Sequence, residues 1–217
     1  MKSHWSDYVL SSLFITAFLA VALGTVLLAQ GWTRALLGPY HVLADLALAL
    51  LAYGLASAAV LRLLLRLRPM PLGEHGADSV AFTYWKLLTV VYRLGQGAIG
   101  WCFPFFLRPL RDALFGARVG ADVAFGGTID DPYLVTVGAG SVLGNASLVS
   151  ANYIADGKLV CQPVVIGQGV TVGANAVVLP GVTIGDGATI SIGSVVMPGT
   201  RVPAGERWRG NPARKWL

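Results

Sequence analysis

The chain has 217 residues, a length that allows one or two domains. Hydrophobic residues make up 55% of it and charged residues 12%, which is too apolar for a typical soluble protein. The net charge of +5 favours an anionic partner, and both phosphate-rich cofactors and anionic lipid headgroups meet that description. The two cysteines, Cys102 and Cys161, exclude a disulfide framework and a zinc site by their number and spacing.

Two long apolar stretches near the N-terminus predict transmembrane helices. Residues 10–29 carry no charge and are long enough to span a bilayer. Residues 42–61 are similar except for Asp45, which lies about one turn inside and is expected at the membrane interface. A cleaved signal peptide is the alternative for the first stretch, but the second stretch and the lack of an evident cleavage site favour a retained helix. Residues 1–68 are therefore predicted to form a two-helix anchor.

Lysine and arginine residues set the predicted orientation of this anchor. Only Arg34 lies between the two stretches, whereas Arg62, Arg66 and Arg68 follow the second stretch and Lys2 precedes the first. Because basic residues that flank spans stay in the cytoplasm, both termini are predicted to be cytoplasmic. The rest of the chain is then expected at the cytoplasmic face of the inner membrane.

Residues 69–115 are predicted to form a linker region at the membrane surface. The run PMPLG, at 69–73, ends the second helix because proline cannot continue it. Residues 80–94 have the spacing of an amphipathic helix. Residues 95–107 are apolar and aromatic but too short to span a bilayer. Two alternatives stay open for them: a segment in the cytoplasmic interface, or a buried helix beneath the following domain.

A period of six residues organises the C-terminal half of the chain. Every sixth residue is a β-branched aliphatic one at Ile166, Val172, Val178, Ile184, Ile190, Val196 and Val202. This period fits neither a helix face nor a half-buried strand, and it predicts a parallel β-helix of hexapeptide repeats over 116–203. Three hexads close one triangular coil, so Ile184 is expected to stack on Ile166, and the other columns follow in the same way. A strand-rich core with many glycine turns is the alternative, and the unbroken phase counts against it.

The repeat is interrupted in two places. Its phase reaches Val149 with Asp131 in one aliphatic slot, which predicts an irregular corner. The next aliphatic residue is due at 155, but the phase resumes only at Ile166, so a loop within 152–163 is expected to be extruded. Residues 204–217 form a tail that is expected to cap the last coil or pack on its flank. The apolar outer faces favour cyclic association of the chain.

Four stretches carry a family resemblance: DDPYLVTVGAGSVLG (130–144), the loop with DGKL (156–159), VVIGQGVTVGANAVVLPGVTIGDGATI (164–190) and PAGERWRGNPARKWL (203–217). Through them the chain resembles the hexapeptide-repeat acyltransferases, the left-handed β-helix family. The resemblance implies a left-handed coil, a homotrimer with active sites between adjacent prisms, and acyl-CoA lying along the groove between two prisms. The membrane segment joined to such a domain is similar, more loosely, to the C-terminal region of membrane-bound peptide-synthetase-like proteins.

The same resemblance implies a histidine general base in or just before the extruded loop, yet the predicted coil contains no histidine. The expected slot holds Asn152, which cannot accept a proton at neutral pH but can orient a substrate or donate to an oxyanion. Three alternatives stay open. His75 acts as the base; a carboxylate such as Asp130, Asp131 or Asp156 acts with a raised pKa; or no base is present, because catalysis is absent or an amine arrives deprotonated. The candidate catalytic residues are His75, Asn152 and Asp131.

Two groups of residues are candidates for binding acetyl-CoA or another acyl-CoA. The tail is basic, guanidinium groups suit phosphates, and the resemblance places the nucleotide near this end. Small side chains at the strand edges suit the pantetheine amides. The candidates are Gly173, Ala174, Ser191 and Ile192 for the pantetheine, and Arg201, Arg209, Asn211, Arg214 and Lys215 for the nucleotide. No metal site and no nucleic-acid surface are predicted.

These features together predict a membrane-anchored acyltransferase. It transfers an acetyl or related acyl group from acyl-CoA or another thioester to a hydroxyl or amine at the cytoplasmic face of the membrane. The acceptor is expected to be lipid-linked or derived from an amino acid. The alternative is a non-catalytic trimeric scaffold for a membrane biosynthetic complex. The missing histidine favours the scaffold, whereas the GNPAR ending and the basic tail count against it.

Overall fold

The computed structural model describes residues 5–216, so Lys2 and the final Leu217 of the predicted tail lie outside the described residues. Residues 5–70 and 83–104 form one compact unit, which we call the helical unit. Residues 71–82 and 105–216 form a second, the coil unit. The helices are α1 (Trp5–Leu37), α2 (His41–Leu67), α3 (Val80–Gly100) and α4 (Arg108–Leu114), with 3-10 turns at Gly38–Tyr40, Phe105–Leu107 and Pro132–Leu134.

The helical unit is built on a hairpin of α1 and α2. Phe18 packs edge-on against Tyr53, and Thr33 Oγ1 donates a hydrogen bond to Asp45 Oδ1 at 2.7 Å, so the two helices run antiparallel. Asp45 therefore has a partner on α1. The predicted connecting loop is only the 3-10 turn at Gly38–Tyr40, because α1 continues to Leu37 and the first proline of this region is Pro39. Arg34, expected in that loop, belongs to α1.

Helix α3 packs along α2 within the helical unit. Tyr84 donates to the Leu64 carbonyl at 3.0 Å, and Ser57 Oγ donates to the Val91 carbonyl at 2.6 Å. The amphipathic helix predicted for 80–94 continues to Gly100, so residues 95–100 are its last turns and not a separate segment. The continuation is explained by packing, because Ile99 is fully buried and fills the space above Gly54, which has no side chain.

Large apolar side chains cover the exterior of the helical unit. Leu28 is 86% exposed and Leu36 is 78% exposed, which is costly for a surface in water. By length and composition, one helical run, Asp7–Leu67, is long and apolar enough to cross a membrane. Only 11% of its most apolar window is buried within the protein, so this surface is not core.

The coil unit contains short strands that recur with the hexad period. The strands are β1 (Gly73–Gly76), β2 (Arg118–Val119), β3 (Ala124–Phe125), β4 (Thr128–Asp130), β5 (Val135–Val137), β6 (Val142–Leu143), β7 (Leu148–Ser150), β8 (Asn152–Ala155), β9 (Lys158–Cys161), β10 (Val164–Ile166), β11 (Thr171–Val172), β12 (Val177–Val178), β13 (Thr183–Ile184), β14 (Thr189–Ile190), β15 (Val195–Val196), β16 (Arg201–Val202), β17 (Arg207–Gly210) and β18 (Ala213–Lys215).

Parallel pairing arranges these strands into three faces of a β-solenoid. The first face has the order β2-β5-β10-β13-β16, the second β3-β6-β11-β14-β17-β18, and the third β4-β7-β12-β15. The predicted columns are confirmed, since Ile166 pairs with Ile184, Val172 with Ile190, and Val178 with Val196. The inward side chains are fully buried because alternate residues of each strand point to opposite faces, and one of these faces lines the narrow interior.

The irregular corner predicted at Asp131 is present, and Ile129 takes the place in the third-face column. Ile129 pairs with Val149, while Asp131 adopts a left-handed backbone with φ of 51° and precedes the 3-10 turn at Pro132–Leu134. Proline cannot donate to a strand ladder, so Pro132 ends the pairing here. Asp131 is nevertheless completely buried.

The extruded loop is a β-hairpin that recruits a strand from before α3. Strands β8 and β9 pair antiparallel, and β1 adds to the outer edge of β9, with Gly73 opposite Cys161 and His75 opposite Leu159. The tail also differs from a simple cap. Strand β17 extends the second face by pairing with β14, and β18 folds back on β17.

Shortening an inward aliphatic side chain is expected to destabilise the coil far more than shortening an outward one. Ile190 is fully buried, whereas Ile192, two positions on, is 75% exposed. We expect Ile190→Ala to lower the free energy of unfolding by about 2–5 kcal/mol through the lost transfer energy and the cavity left behind. Ile192→Ala is the matched control, with an expected change within about 0.5 kcal/mol. Urea unfolding followed by circular dichroism measures both, and equal losses would contradict the inward column.

Candidate functional site

The best-defined polar cluster of the coil unit joins the hairpin to the preceding coil. Asn152, the first residue of β8, donates from Nδ2 to Oδ2 of Asp131 at 2.7 Å. Tyr133 donates its hydroxyl to the other carboxylate oxygen at 3.1 Å. A fully buried carboxylate requires such donors, because an ionised group without partners is strongly disfavoured away from water. The structure therefore brings together two of the three predicted catalytic residues.

Ser150 fixes the backbone of Asn152. Its hydroxyl donates to the Asn152 carbonyl at 2.7 Å and lies 3.4 Å from the Asn152 amide nitrogen. Local hydrogen bonds of this kind, from a side chain to nearby backbone, fix the conformation of a residue at the start of a turn. With its backbone held by Ser150 and its side-chain nitrogen held by Asp131, Asn152 has a fixed orientation while its side chain stays half-buried.

His75 lies in β1, in the three-stranded sheet β1-β9-β8 that also contains Asn152, but away from the Asp131 cluster. Gly73, Cys161 and Asn152 form one row across β1, β9 and β8, and His75 belongs to another row. Two strand spacings of about 4.8 Å put His75 roughly 10 Å or more from Asn152. Its Nε2 lies 3.0 Å from the Pro71 carbonyl. The structure does not bring His75 within hydrogen-bonding distance of Asp131 or Asn152.

Cys161 lies beside the cluster and is completely buried. Burial, together with the smaller effect of the nearby Asp131 charge, raises the pKa of the Cys161 thiol to about 12. The thiol is therefore protonated at neutral pH, and a protonated thiol is a poor nucleophile and no base.

The four predicted pantetheine residues meet at the corner that follows the second face. The Gly173 amide donates to the Ile190 carbonyl at 2.8 Å, and a methyl group added to Gly173 would stand 2.5 Å from the Ile192 nitrogen. Only glycine permits this approach, which places Gly173 and Ala174 one coil below Ser191 and Ile192. The Ser191 amide in turn donates to the Trp208 carbonyl at 2.8 Å, so Arg209 stands next in this column.

The predicted nucleotide-binding residues are only partly together. Arg209 and Arg214 are cross-strand partners in the hairpin of β17 and β18, which also contains Lys215, with Asn211 at its turn. Arg201 instead lies on the first face, in β16. The separation follows from the repeat, because one hexad carries the chain from one face of the solenoid to the next.

Neighbouring side chains fix two of these cations, and a backbone carbonyl binds a third. The Arg209 guanidinium lies 4.2 Å from the centre of the Trp216 ring, and Lys215 Nζ lies 2.7 Å from Glu206 Oε1. Hydrogen bonds from Lys215 and Trp208 lower the pKa of Glu206, so this carboxylate stays ionised beside Lys215. Arg214 donates to the Ala213 carbonyl at 3.0 Å. Stacking leaves the edge of the Arg209 guanidinium available to an anion.

Residues 163–198 match the family model described as bacterial transferase hexapeptide (six repeats). The coil unit carries a bacterial transferase hexapeptide repeat. This match confirms the predicted resemblance to hexapeptide-repeat proteins over the coils that contain Gly173 and Ser191. No curated protein sequence is significantly similar to the chain.

Several solved structures are similar to this chain. A hexapeptide-repeat acetyltransferase from Vibrio cholerae O1 biovar eltor, in complex with acetyl-CoA, is 25% identical over 47% of this chain and 60% of its own, with a TM-score of 0.44. A galactoside acetyltransferase in complex with CoA is 26% identical over 47% and 55%, with a TM-score of 0.42. Soybean serine acetyltransferase is 22% identical over 91% and 68%, with a TM-score of 0.34. The chain thus spans less than two thirds of the first two proteins.

Cys161 is expected to be unreactive while the coil unit is folded. In a Cys102→Ser variant, we expect iodoacetamide at pH 8 to leave Cys161 unmodified for hours, because the thiol is buried and its pKa is about 12. Denaturation in urea should expose it to complete alkylation within minutes, which provides the control. Mass spectrometry of the intact protein measures the modification, and rapid alkylation of the native protein would contradict the placement of β9.

Proposed function

We propose that the chain is a membrane-anchored acyltransferase that uses acetyl-CoA or another acyl-CoA. The observation that carries the proposal is the column in which Gly173, Ser191 and Arg209 stand in successive coils, two of them within a transferase-type repeat. Close backbone stacking leaves a shallow surface with amide groups, which suits the pantetheine amides, and Arg209 at one end suits a phosphate. The acetyltransferases with CoA among the similar structures agree with this reading.

The proposal extends to the architecture around this column. The coil is left-handed and forms a homotrimer, in which exposed apolar side chains such as Val142 and Val165 are covered by neighbouring copies. α1 and α2 span the inner membrane, with both termini and the coil on the cytoplasmic side. The exposed leucines of the helical unit then contact lipid tails. An acceptor that is lipid-linked or derived from an amino acid is held near the site.

A non-catalytic scaffold is the second candidate, and the Asp131 cluster favours it. Both oxygens of Asp131 accept hydrogen bonds, and Cys161 is protonated at neutral pH. No histidine occurs from residue 76 onwards. A trimeric platform that holds a biosynthetic complex at the membrane needs no general base. It also needs no acyl-CoA, so binding of the cofactor separates the two functions.

Calorimetric titration of the detergent-solubilised chain with acetyl-CoA tests the proposal. Arg209→Ala is expected to weaken binding by about 10- to 100-fold, since a hydrogen bond to a charged group contributes about 1.5–3 kcal/mol. Arg118→Ala is the matched control, because this exposed arginine lies on the first face in β2, and its affinity should equal that of the wild type. Absence of binding by the wild-type chain would reject the acyltransferase and support the scaffold.

Cell fractionation with topology reporters tests the anchor. We expect the chain to stay in the membrane pellet after washing with alkaline carbonate, because α1 and α2 are too apolar to leave the bilayer. A green fluorescent protein fused after residue 217 should fluoresce, whereas alkaline phosphatase fused there should be inactive. Release by carbonate would contradict the two spans, and an active phosphatase fusion would contradict the cytoplasmic coil.

A further inference from the structure

The side chain of Asn152 has its Oδ1 oxygen available to a substrate as a hydrogen-bond acceptor. A carboxylate accepts hydrogen bonds and cannot donate them, so the amide nitrogen must face Asp131. The 2.7 Å contact from Nδ2 to Oδ2 has this orientation. Among the described residues, none donates to Asn152 Oδ1, and the side chain is half-buried at the start of the hairpin. Asp131 therefore occupies one of the two Nδ2 hydrogens, and Oδ1 is the hydrogen-bond acceptor that the side chain presents.

Three of the candidate bases, Asp131, Cys161 and His75, are occupied, protonated or out of reach of a substrate at Asn152. Asp131 has no exposed surface and accepts bonds on both oxygens, so it cannot contact a substrate. The Cys161 thiol is protonated, and His75 is two strands away, next to the Pro71 carbonyl. A hydroxyl acceptor needs a base to become nucleophilic, whereas a neutral amine already has a free electron pair.

We propose that the acyl acceptor is an amine, which binds to Asn152 Oδ1 through one of its N–H groups; this rests on the proposed acyl-CoA-dependent transfer. The nitrogen lone pair attacks the thioester carbonyl carbon, and the new C–N bond forms as the C–S bond breaks. The thiolate of CoA leaves and takes the proton that the nitrogen loses, so the products are an amide and CoA thiol. Asn152 Oδ1 stabilises the positive charge that develops on the nitrogen.

In this reaction Asp131 is a positioning residue. It holds the Asn152 amide in the orientation that exposes Oδ1, and Tyr133 holds Asp131. Asp131→Asn keeps this arrangement, because the new amide can accept from Asn152 through its oxygen and donate to Tyr133 through its nitrogen. Asp131→Leu removes it, and the Asn152 amide is then free to rotate.

Transfer of label to natural acceptors tests the class of acceptor. The full chain in detergent is incubated with acetyl-CoA labelled in the acetyl group and with polar and lipid extracts of the source cells. One half of each extract is first treated with formaldehyde and cyanoborohydride, which dimethylates primary amines and leaves hydroxyls intact. We expect label in the untreated extract and at least a 20-fold loss after treatment. Equal labelling of both halves would overturn the amine and leave the acyltransferase standing. No label from either extract would overturn both.

Kinetics of the variants on the labelled fraction separate a positioning role from a general base. We expect Asn152→Ala and Asp131→Leu to raise the half-saturating amount of acceptor about tenfold or more while the KM for acetyl-CoA stays unchanged. Asp131→Asn should keep kcat within about threefold, whereas loss of a general base costs about 100- to 10,000-fold. A loss of that size in Asp131→Asn would overturn the positioning role. The same loss in Asp130→Asn or Asp156→Asn would reveal a carboxylate base and overturn the base-free mechanism.

Discussion

A carboxylate enclosed within the coil determines how the extruded hairpin joins the repeat. Asp131 is fully buried, and burying a charge without partners is far more costly than any single contact in this unit. Tyr133 and Asn152 supply the donors that make its burial tolerable. Because Asn152 opens β8, the same hydrogen bond that stabilises the carboxylate also fixes the start of the hairpin and the direction of its first polar side chain.

The hexad columns supply the rigid support for this interaction. Inward aliphatics in successive coils leave no freedom for a strand to slip, since a shift by one residue would turn each of them outward. The spacing between successive coils is therefore also fixed at the corners. Gly173 can stand one coil below Ile192 only because the columns on either side fix the spacing. The proposed cofactor column and the Asp131 cluster are therefore two consequences of one repeat, at different corners of the solenoid.

Much of this architecture can be read from the sequence, because a period of six with β-branched aliphatics has few alternative folds. The columns, the break before Ile166 and the anomaly at Asp131 all follow from phase. The same phase also separates Arg201 from Arg209, since Arg201 precedes Val202 of the first-face column and Arg209 follows Trp208 of the second. Closeness in sequence is therefore a poor guide to which of these arginines lie together in the fold.

Other features could not be read from the sequence, for physical reasons. Strand β1, with the sequence GEHG, has low strand propensity and forms only because the edge of β9 provides partners far along the chain. Helix α3 extends through Gly95 and Gly97 because Ile99 packs on α2, and tertiary packing outweighs the cost of glycine in a helix. The roles of Tyr133 and Ser150 depend on side-chain geometry. Of these two residues, only Ser150 could have been identified from the sequence, because a serine two residues before Asn152 can hydrogen-bond to its backbone.

The strength of the bond between Asp131 and Asn152 tests the account most directly. A double-mutant cycle of Asp131→Ala, Asn152→Ala and both together, followed by urea unfolding of the detergent-solubilised chain, isolates their coupling energy. A hydrogen bond to a buried charge predicts a coupling of about 1.5–3 kcal/mol. A coupling within about 0.5 kcal/mol of zero would show that the two residues act independently, and the hairpin would then have no fixed connection to the coil.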